Sequence, residues 1–344
     1  MVVMIVSLAV GLGMQKEIKN KISSIEGHIT IQSYNNTLDQ NSFNPISPNK
    51  QFINELENIS EIKNIEKIIS KFGILRTEKD FDGLYFKGVQ SNYDFNRIKS
   101  FLIEGNIPSF SKDFSNHVLI SKESANKLKL KLGDSFQMLF SKSDNTNPSI
   151  IKLVIVGIFD TGFSELDSKF IFGDINQIRR VSKWDNDQIS SLEIKLNDYK
   201  VLGDISNYIY LNSPSEYDVV TIKEKYYSIF EWIELFDKNI YAIIFIMILV
   251  ASVNIISVLV VLILERTNMI GVLKALGATN ISLQKFFIYT SSYLIFIGII
   301  LGNAIGLIIL LIQKKFKIIA LDPKIYYVDS VPIFIEPYYL IILN

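Results

Sequence analysis

The stretch ERTNMIGVLKALGATN, residues 265–280, decides how the rest of the chain is read. It lies between two runs, 240–264 and 286–312, that carry no charged residue. At about 1.5 Å of rise per residue, either run as a helix exceeds the ~30 Å hydrocarbon core of a bilayer. The connector between them, 265–285, is too short to house an active site of its own. It is long enough for one short helix, in which Met269, Ile270, Val272, Leu273 and Leu276 supply apolar contacts. Gly277 then stands where a left-handed C-cap belongs. A half-apolar helix exposed at a membrane face is a docking surface, built to receive force from another protein.

Composition narrows the rest. The 344 residues suffice for one membrane module and one or two soluble domains. Lys and Arg number 35 and so do Asp and Glu, so no charge argument points to nucleic acid. The absence of cysteine excludes disulfides and thiolate metal sites. No Gly-rich phosphate loop ending in Lys-Ser or Lys-Thr occurs, so no ATP site of that kind is expected on this chain. The two histidines, His28 and His117, lie far apart and read as polar residues at strand ends. Asp160-Thr161-Gly162 has the look of an aspartic-protease triplet but occurs once, after a strand, and reads as a turn. No enzyme site, bound cofactor or metal site is expected.

The N-terminal run 2–12 is too short to span and lacks the basic flank of a signal peptide. Residues 1–26 therefore read as the last turns of a transmembrane helix and a polar exit helix. Residues 27–225 read as a soluble α+β domain in two lobes, a smaller β-rich lobe inserted into a larger one. Its strands are expected at 28–32, 65–75, 83–89, 117–121, 136–140, 150–159, 170–172, 192–196 and 219–222, with 136–140 and 150–159 as a hairpin. Helices are expected at 49–59, 123–130 (ending in a turn at Gly133-Asp134), 175–181 and 201–211. Residues 226–344 read as the membrane part. After the second span, the tail 313–344 ends in a third apolar run with interfacial tyrosines. The intact protein is expected to have four spans, of which two are complete here. Lysines and arginines flank both ends of the spans about equally, so charge alone leaves the topology open.

Within the spans, Gly298, Gly302 and Gly306 recur every four residues on one helix face, spacing that lets another helix approach closely. Contact within the chain's own bundle and contact with a second subunit both fit. Asn254, flanked by Ser252 and Ser257, is a polar amide in mid-span and is expected to face a partner helix or a cavity.

The same residues carry a family resemblance. ERTNMIGVLKALGATN resembles the cytoplasmic coupling segment of permeases in the FtsX/MacB superfamily of ABC transporters. LDPKIYYVDSVPI, residues 321–333, is similar to the tail before the last span of lipoprotein-releasing permeases of the LolC/LolE type. Its matching positions are Leu321, Asp322, Pro323, Tyr326, Tyr327 and Pro332. LVASVNIISVLVVLILER resembles the second span of that type, and QKEIKNKISSIEGHITI the exit from its first. YDFNRIKSFLIEGNIP and HVLISKESANKLKLKLGD resemble phrases of its periplasmic domain.

The resemblance implies a four-span inner-membrane permease with a large, two-lobed periplasmic domain. It implies a cytoplasmic ATPase that holds ATP and magnesium and docks on Arg266, Met269, Leu273, Lys274, Leu276, Gly277 and Ala278. The implied activity is extraction of a lipoprotein from membrane lipid and its transfer to a periplasmic carrier, alongside a second permease copy or paralogue. Two departures stand out. Met269 takes a place the family usually gives to an acidic residue, and residues 142–149 are short where some relatives carry a carrier-capturing hairpin. Peptide or antibiotic efflux, FtsX-like control of cell-wall hydrolases, and a membrane sensor or receptor are the competing readings.

Overall fold

A computed structural model describes residues 1–38, 44–77, 80–110, 114–141 and 148–343. Most of the loop at 142–149 lies outside the described residues. The chain forms two compact units, and each is taken by itself. The soluble unit is Ile18–Tyr227 together with Pro323–Tyr327; the membrane unit is Met1–Glu17, Ser228–Asp322 and the segment that starts at Val328.

Ten strands in the soluble unit join into one hydrogen-bonded sheet: β1 Ile29–Ser33, β2 Ile62–Arg76, β3 Phe81–Val89, β4 Leu102–Gly105, β5 His117–Ser121, β6 Ser135–Phe140, β7 Ser149–Phe159, β8 Phe170–Asp174, β9 Ser191–Leu196 and β10 Tyr217–Thr221. Six of them close a ring, β2-β3-β8-β5-β7-β6, because β6 pairs with both β7 and β2. Alternation drives the closure. Phe136, Met138 and Phe140 of β6 and Ile151, Leu153 and Ile155 of β7 are buried, while the residues between them are not. Aromatic side chains fill the interior: Phe86 meets Phe140 edge-on at 6.1 Å and Phe159 meets Phe172 at 5.7 Å.

The strand β2 explains why the two expected lobes are not separate. It is 15 residues long; one edge pairs with β3, and the other is shared between β9 and β6. An open wing, β9-β1-β10, thus continues the same sheet that closes the ring. The α+β character matches expectation, and the β-rich ring is built from a contiguous stretch set between the strands of the wing, with which it shares β2. The expected hairpin is β6–β7, in antiparallel register from Phe140↔Ser149 onward.

Short helices cover the sheet. Ile175–Ser182 starts where the Asp174 carboxylate accepts the Asn176 N–H at 2.9 Å, and it packs on β2, β3 and β8. Lys122–Leu128 stops at Lys129, whose φ of 56° is left-handed, before the Gly133-Asp134 turn expected to end it. The sequence reading missed β4 and the one-turn helices Asn96–Lys99 and Ser164–Asp167, all too short to show periodicity.

In the membrane unit, helices Tyr227–Glu265 and Asn280–Phe316 are, among the described residues, the two long and apolar enough to cross a membrane. They overrun the apolar cores 240–264 and 286–312 at both ends. The first 16 residues of helix Val2–Ile25 belong to this unit as well. Ile5 and Ala9 on that helix bury a small cluster with Leu310, and Ile333, Ile335 and Leu340 pack against it. Lower on the same helix, Gln15 Nε2 donates to Asp237 Oδ1 at 2.6 Å, and Lys16 Nζ sits 3.7 Å from the Phe334 ring centre.

Candidate functional site: a connector helix and a buried ionic joint

The connector between the two long helices folds as the sequence requires. The helix Tyr227–Glu265 breaks at Arg266 and a short helix runs Thr267–Ala275. Leu276 is its C-cap, and Gly277 follows with φ of +92°. Gly277 N–H donates to Lys274 O and Ala278 N–H to Leu273 O, each at 3.0 Å, the paired bonds of a Schellman turn. Thr279 then caps the next helix, its hydroxyl accepting from the Ser282 N–H. A residue with a Cβ at Gly277 would strain this turn.

The expected docking residues divide by exposure. Met269, Leu273 and Ala278 are half-buried, as is Ile270, which helps line a groove of about 740 Å³ with Ile255, Leu259 and Phe287. Arg266, Lys274, Leu276 and Gly277 are exposed. Leu276 is 80% exposed and Val272, one turn earlier on the same side, 61%. The i, i+4 spacing puts Val272 and Leu276 on one side of the helix, and their exposure makes that side the outward apolar surface.

The packing residues also divide. A Cβ built on Gly302 would fall 2.7 Å from Met1 Cβ, and Gly306 lies against Val2 and Ile5. These two glycines admit the first turns of helix Val2–Ile25, a contact within the chain's own membrane unit. Among the described residues, nothing comes within 4 Å of a Cβ built on Gly298, and Asn254 is exposed.

The tail motif is split between the units. Leu321 N–H donates to Asp329 O at 2.9 Å, and Gln313 gathers Ile319 O, Val331 O and Ile319 N in the membrane unit. There Pro332 O lies so near Gly13 that a Cβ would collide with it. Asp322 is exposed and Pro323 and Tyr326 form a one-turn helix. Tyr327, with φ of +61°, stacks its ring on Phe163 at 4.5 Å and 22° inside the soluble unit.

Phe163 is held by the loop that carries Asp160-Thr161-Gly162. The Asp167 carboxylate accepts from Thr161 Oγ1 at 2.8 Å and Thr161 N at 3.1 Å, and Asp160 Oδ1 accepts from Gly162 N at 2.9 Å. Asp167 is committed to the loop's own donors, as a turn needs, and Asp160 also pairs with Lys122 Nζ at 3.3 Å. Burial, assisted by the charge of Asp160 and opposed by the Thr161 bonds, pushes the Asp167 carboxyl up to about 6.

Sequence reasoning missed the most charged place in the soluble unit. Glu26, which ends the exit helix, pairs with Lys225 Nζ at 2.5 Å and accepts from Tyr226 Oη at 3.1 Å. Lys87 of β3 pairs with Glu193 of β9 and donates to Ile25 O at 2.6 Å. Glu193 also accepts the Gly27 N–H at 3.1 Å. Directly across from Glu193 in register stands Glu66 of β2, which takes Arg97 Nη2 at 2.8 Å. Burial alone would raise the Glu26 carboxyl, but Lys225 and then Lys87 overcome it and hold it down at about 2. The available signal was a charge set among apolar strand neighbours, Lys87 after Phe86 and Glu193 between Leu192 and Ile194.

Comparison with known proteins follows the same division. A MacB-like periplasmic core domain model matches residues 1–209, and an FtsX-like permease C-terminal model matches 241–344. The lipoprotein-releasing system transmembrane protein LolC of Xylella fastidiosa is 21% identical, over 96% of this chain and 80% of that protein. LolC of Buchnera aphidicola is 24% identical over 96% of this chain and 80% of that protein. LolE of Haemophilus influenzae is 22% identical over 96% of this chain and 81% of that protein. The chain belongs to the MacB-like periplasmic core domain family, joined to an FtsX-like permease domain, and so to the LolC/LolE type of ABC-transporter permease in the FtsX/MacB superfamily.

Proposed function

We propose that this chain is the permease subunit of an inner-membrane ABC transporter that releases lipoproteins from the membrane to a periplasmic carrier. The observation that carries the reading is the connector helix Thr267–Ala275, which ends in a Schellman turn and presents Val272 and Leu276 outward. A cytoplasmic ATPase, holding ATP and magnesium, docks there, and Arg266 and Lys274 flank the contact. The relatives are named for lipoprotein release, and their likeness runs along almost the whole chain. A second permease copy or paralogue completes the membrane part, with Asn254 and Gly298 available to it.

The work required fits such a machine. At ~0.8 kcal/mol per buried methylene, three acyl chains amount to on the order of tens of kcal/mol to remove from lipid. Motion driven by ATP and relayed to the periplasmic domain supplies what passive release cannot. The test is reconstitution of the full chain with its ATPase in vesicles bearing a triacylated lipoprotein. ATP should drive transfer to the soluble carrier, and Leu276→Asp should abolish the chain's stimulation of ATP hydrolysis, since an unpaired charge in an apolar contact costs several kcal/mol. Unchanged stimulation in Leu276→Asp refutes the docking assignment.

A further inference from the structure

Among the buried carboxylates described in the soluble unit, Glu26, Glu66 and Glu193 are paired with cations, Lys225, Arg97 and Lys87 respectively. Lys87 is 1% exposed and the three carboxylates no more than 6%. Stability does not account for them: replacing a buried ion pair by apolar residues of similar volume is often neutral or stabilising. Position in the chain is more telling. Glu26 ends the exit helix, eight residues past Ile18, where the soluble unit begins, and Lys225 stands two residues before Tyr227, where that part of it ends. One carboxylate therefore ties together two of the chain segments that continue into the membrane unit.

The tie reaches into the sheet. Lys87 holds the last carbonyl of the exit helix, where a cation also suits the helix dipole. Glu193 holds Gly27 N–H, the next turn of the same chain, and pairs with Lys87. Pulling on either segment loads β3 and β9 through charged groups. The distance law matters here. Dispersion contacts forfeit a quarter to a half of their attraction when a gap of about 0.5–1 Å opens. An ion pair falls off only as the inverse of distance and is weakly screened inside a protein. A joint that must stay closed while it is pulled is better made from charges than from apolar packing.

We propose that Glu26 and Lys225, anchored to the sheet by Lys87 and Glu193, form the tension joint through which movement of the membrane unit reaches the periplasmic domain. The proposal deepens the transport reading above and rests on it. Glu26 and Lys225 act here as positioning residues.

The test uses the full chain with its ATPase in vesicles and three variants: Glu26→Gln, Glu26→Leu/Lys225→Met, and Lys225→Arg. ATP hydrolysis should stay within about twofold in all three, while release falls about 30-fold in the first two, the upper range for residues along a coupling route. Lys225→Arg keeps the charge and should release normally. The paired Leu/Met variant keeps apolar volume, so it remains informative if Glu26→Gln folds poorly. Normal release by Glu26→Leu/Lys225→Met overturns the joint, because packing then suffices.

A second readout does not depend on lipoproteins. Because the chain has no cysteine, spin labels at Ser100→Cys and Lys314→Cys can report the distance between the units as ATP turns over. An ATP-driven change that survives in the parent chain and disappears in the Leu/Met variant supports the joint even if no lipoprotein is released, in which case the transport reading alone fails. No ATP-driven change in the parent chain overturns the joint.

Discussion

Two buried groups in the soluble unit titrate in opposite senses, and their opposition gives a sharp expectation. Burial, then the charges of Lys195 and Arg97, lowers the His28 imidazole from 6.5 to about 4. Its neutral Nδ1 accepts the Leu196 N–H at 2.9 Å. The unfolded chain binds this proton more readily, so the contribution of His28 is present above pH 6.5 and is lost as pH falls towards 4. The Asp167 carboxyl moves the other way, from 3.8 up to about 6. The folded state holds that proton more tightly, so its contribution is present near pH 4 and is lost as pH rises through 6. At 1.36 kcal/mol per pKa unit, each amounts to about 3 kcal/mol, and between pH 4 and 6 they largely cancel. Asp167→Asn removes one side of the balance. The stability difference between wild type and this variant should shrink by about 3 kcal/mol from pH 4 to pH 6, whereas for His28→Asn it should grow by about as much. Urea unfolding of the full chain in detergent, followed by Trp184 fluorescence in a Trp232→Phe background, measures both differences. Differences that do not vary with pH in either variant would refute the electrostatic argument.

Two other expectations concern packing. Gly302→Leu pushes four carbons against Met1, and overpacking of about 1–3 kcal/mol should lower the yield of assembled complex in membranes; wild-type assembly would sink the close-approach reading. Tyr327→Ala removes a stacked ring pair worth about 0.5–1.5 kcal/mol, so backbone amides of residues 160–167 should exchange hydrogen faster, and unchanged protection would contradict the stacking.

How much of this was legible in the sequence depended on whether a feature is local. The two long helices and the connector helix are written in continuous apolar runs and in a glycine at a C-cap, and they appear where expected. The strands also appear close to their expected places, because alternation at β6 and β7 is a local signal. Closure of the ring was not legible, since it depends on β6 meeting β2 at Ile74–Arg76, some sixty residues away. The same non-locality hid the ionic joint. Glu26 and Lys225 are 199 residues apart, and nothing near either one announces the other. Among the docking residues, helical spacing predicted an apolar helix but not which side faces outward; Met269 and Leu273 turn partly inward, and Val272 and Leu276 do not. Tyr327 was picked out by resemblance alone, and only the fold showed its ring on Phe163.

If this permease moves lipoproteins out of the inner membrane, depleting it changes where they are found. Cells should be pulse-labelled during depletion and their two membranes separated. Mature lipoproteins should accumulate in the inner membrane while soluble exports reach the periplasm normally. Lipoproteins that still reach the outer membrane, with sensitivity to drugs or peptides rising instead, would contradict this reading and favour efflux.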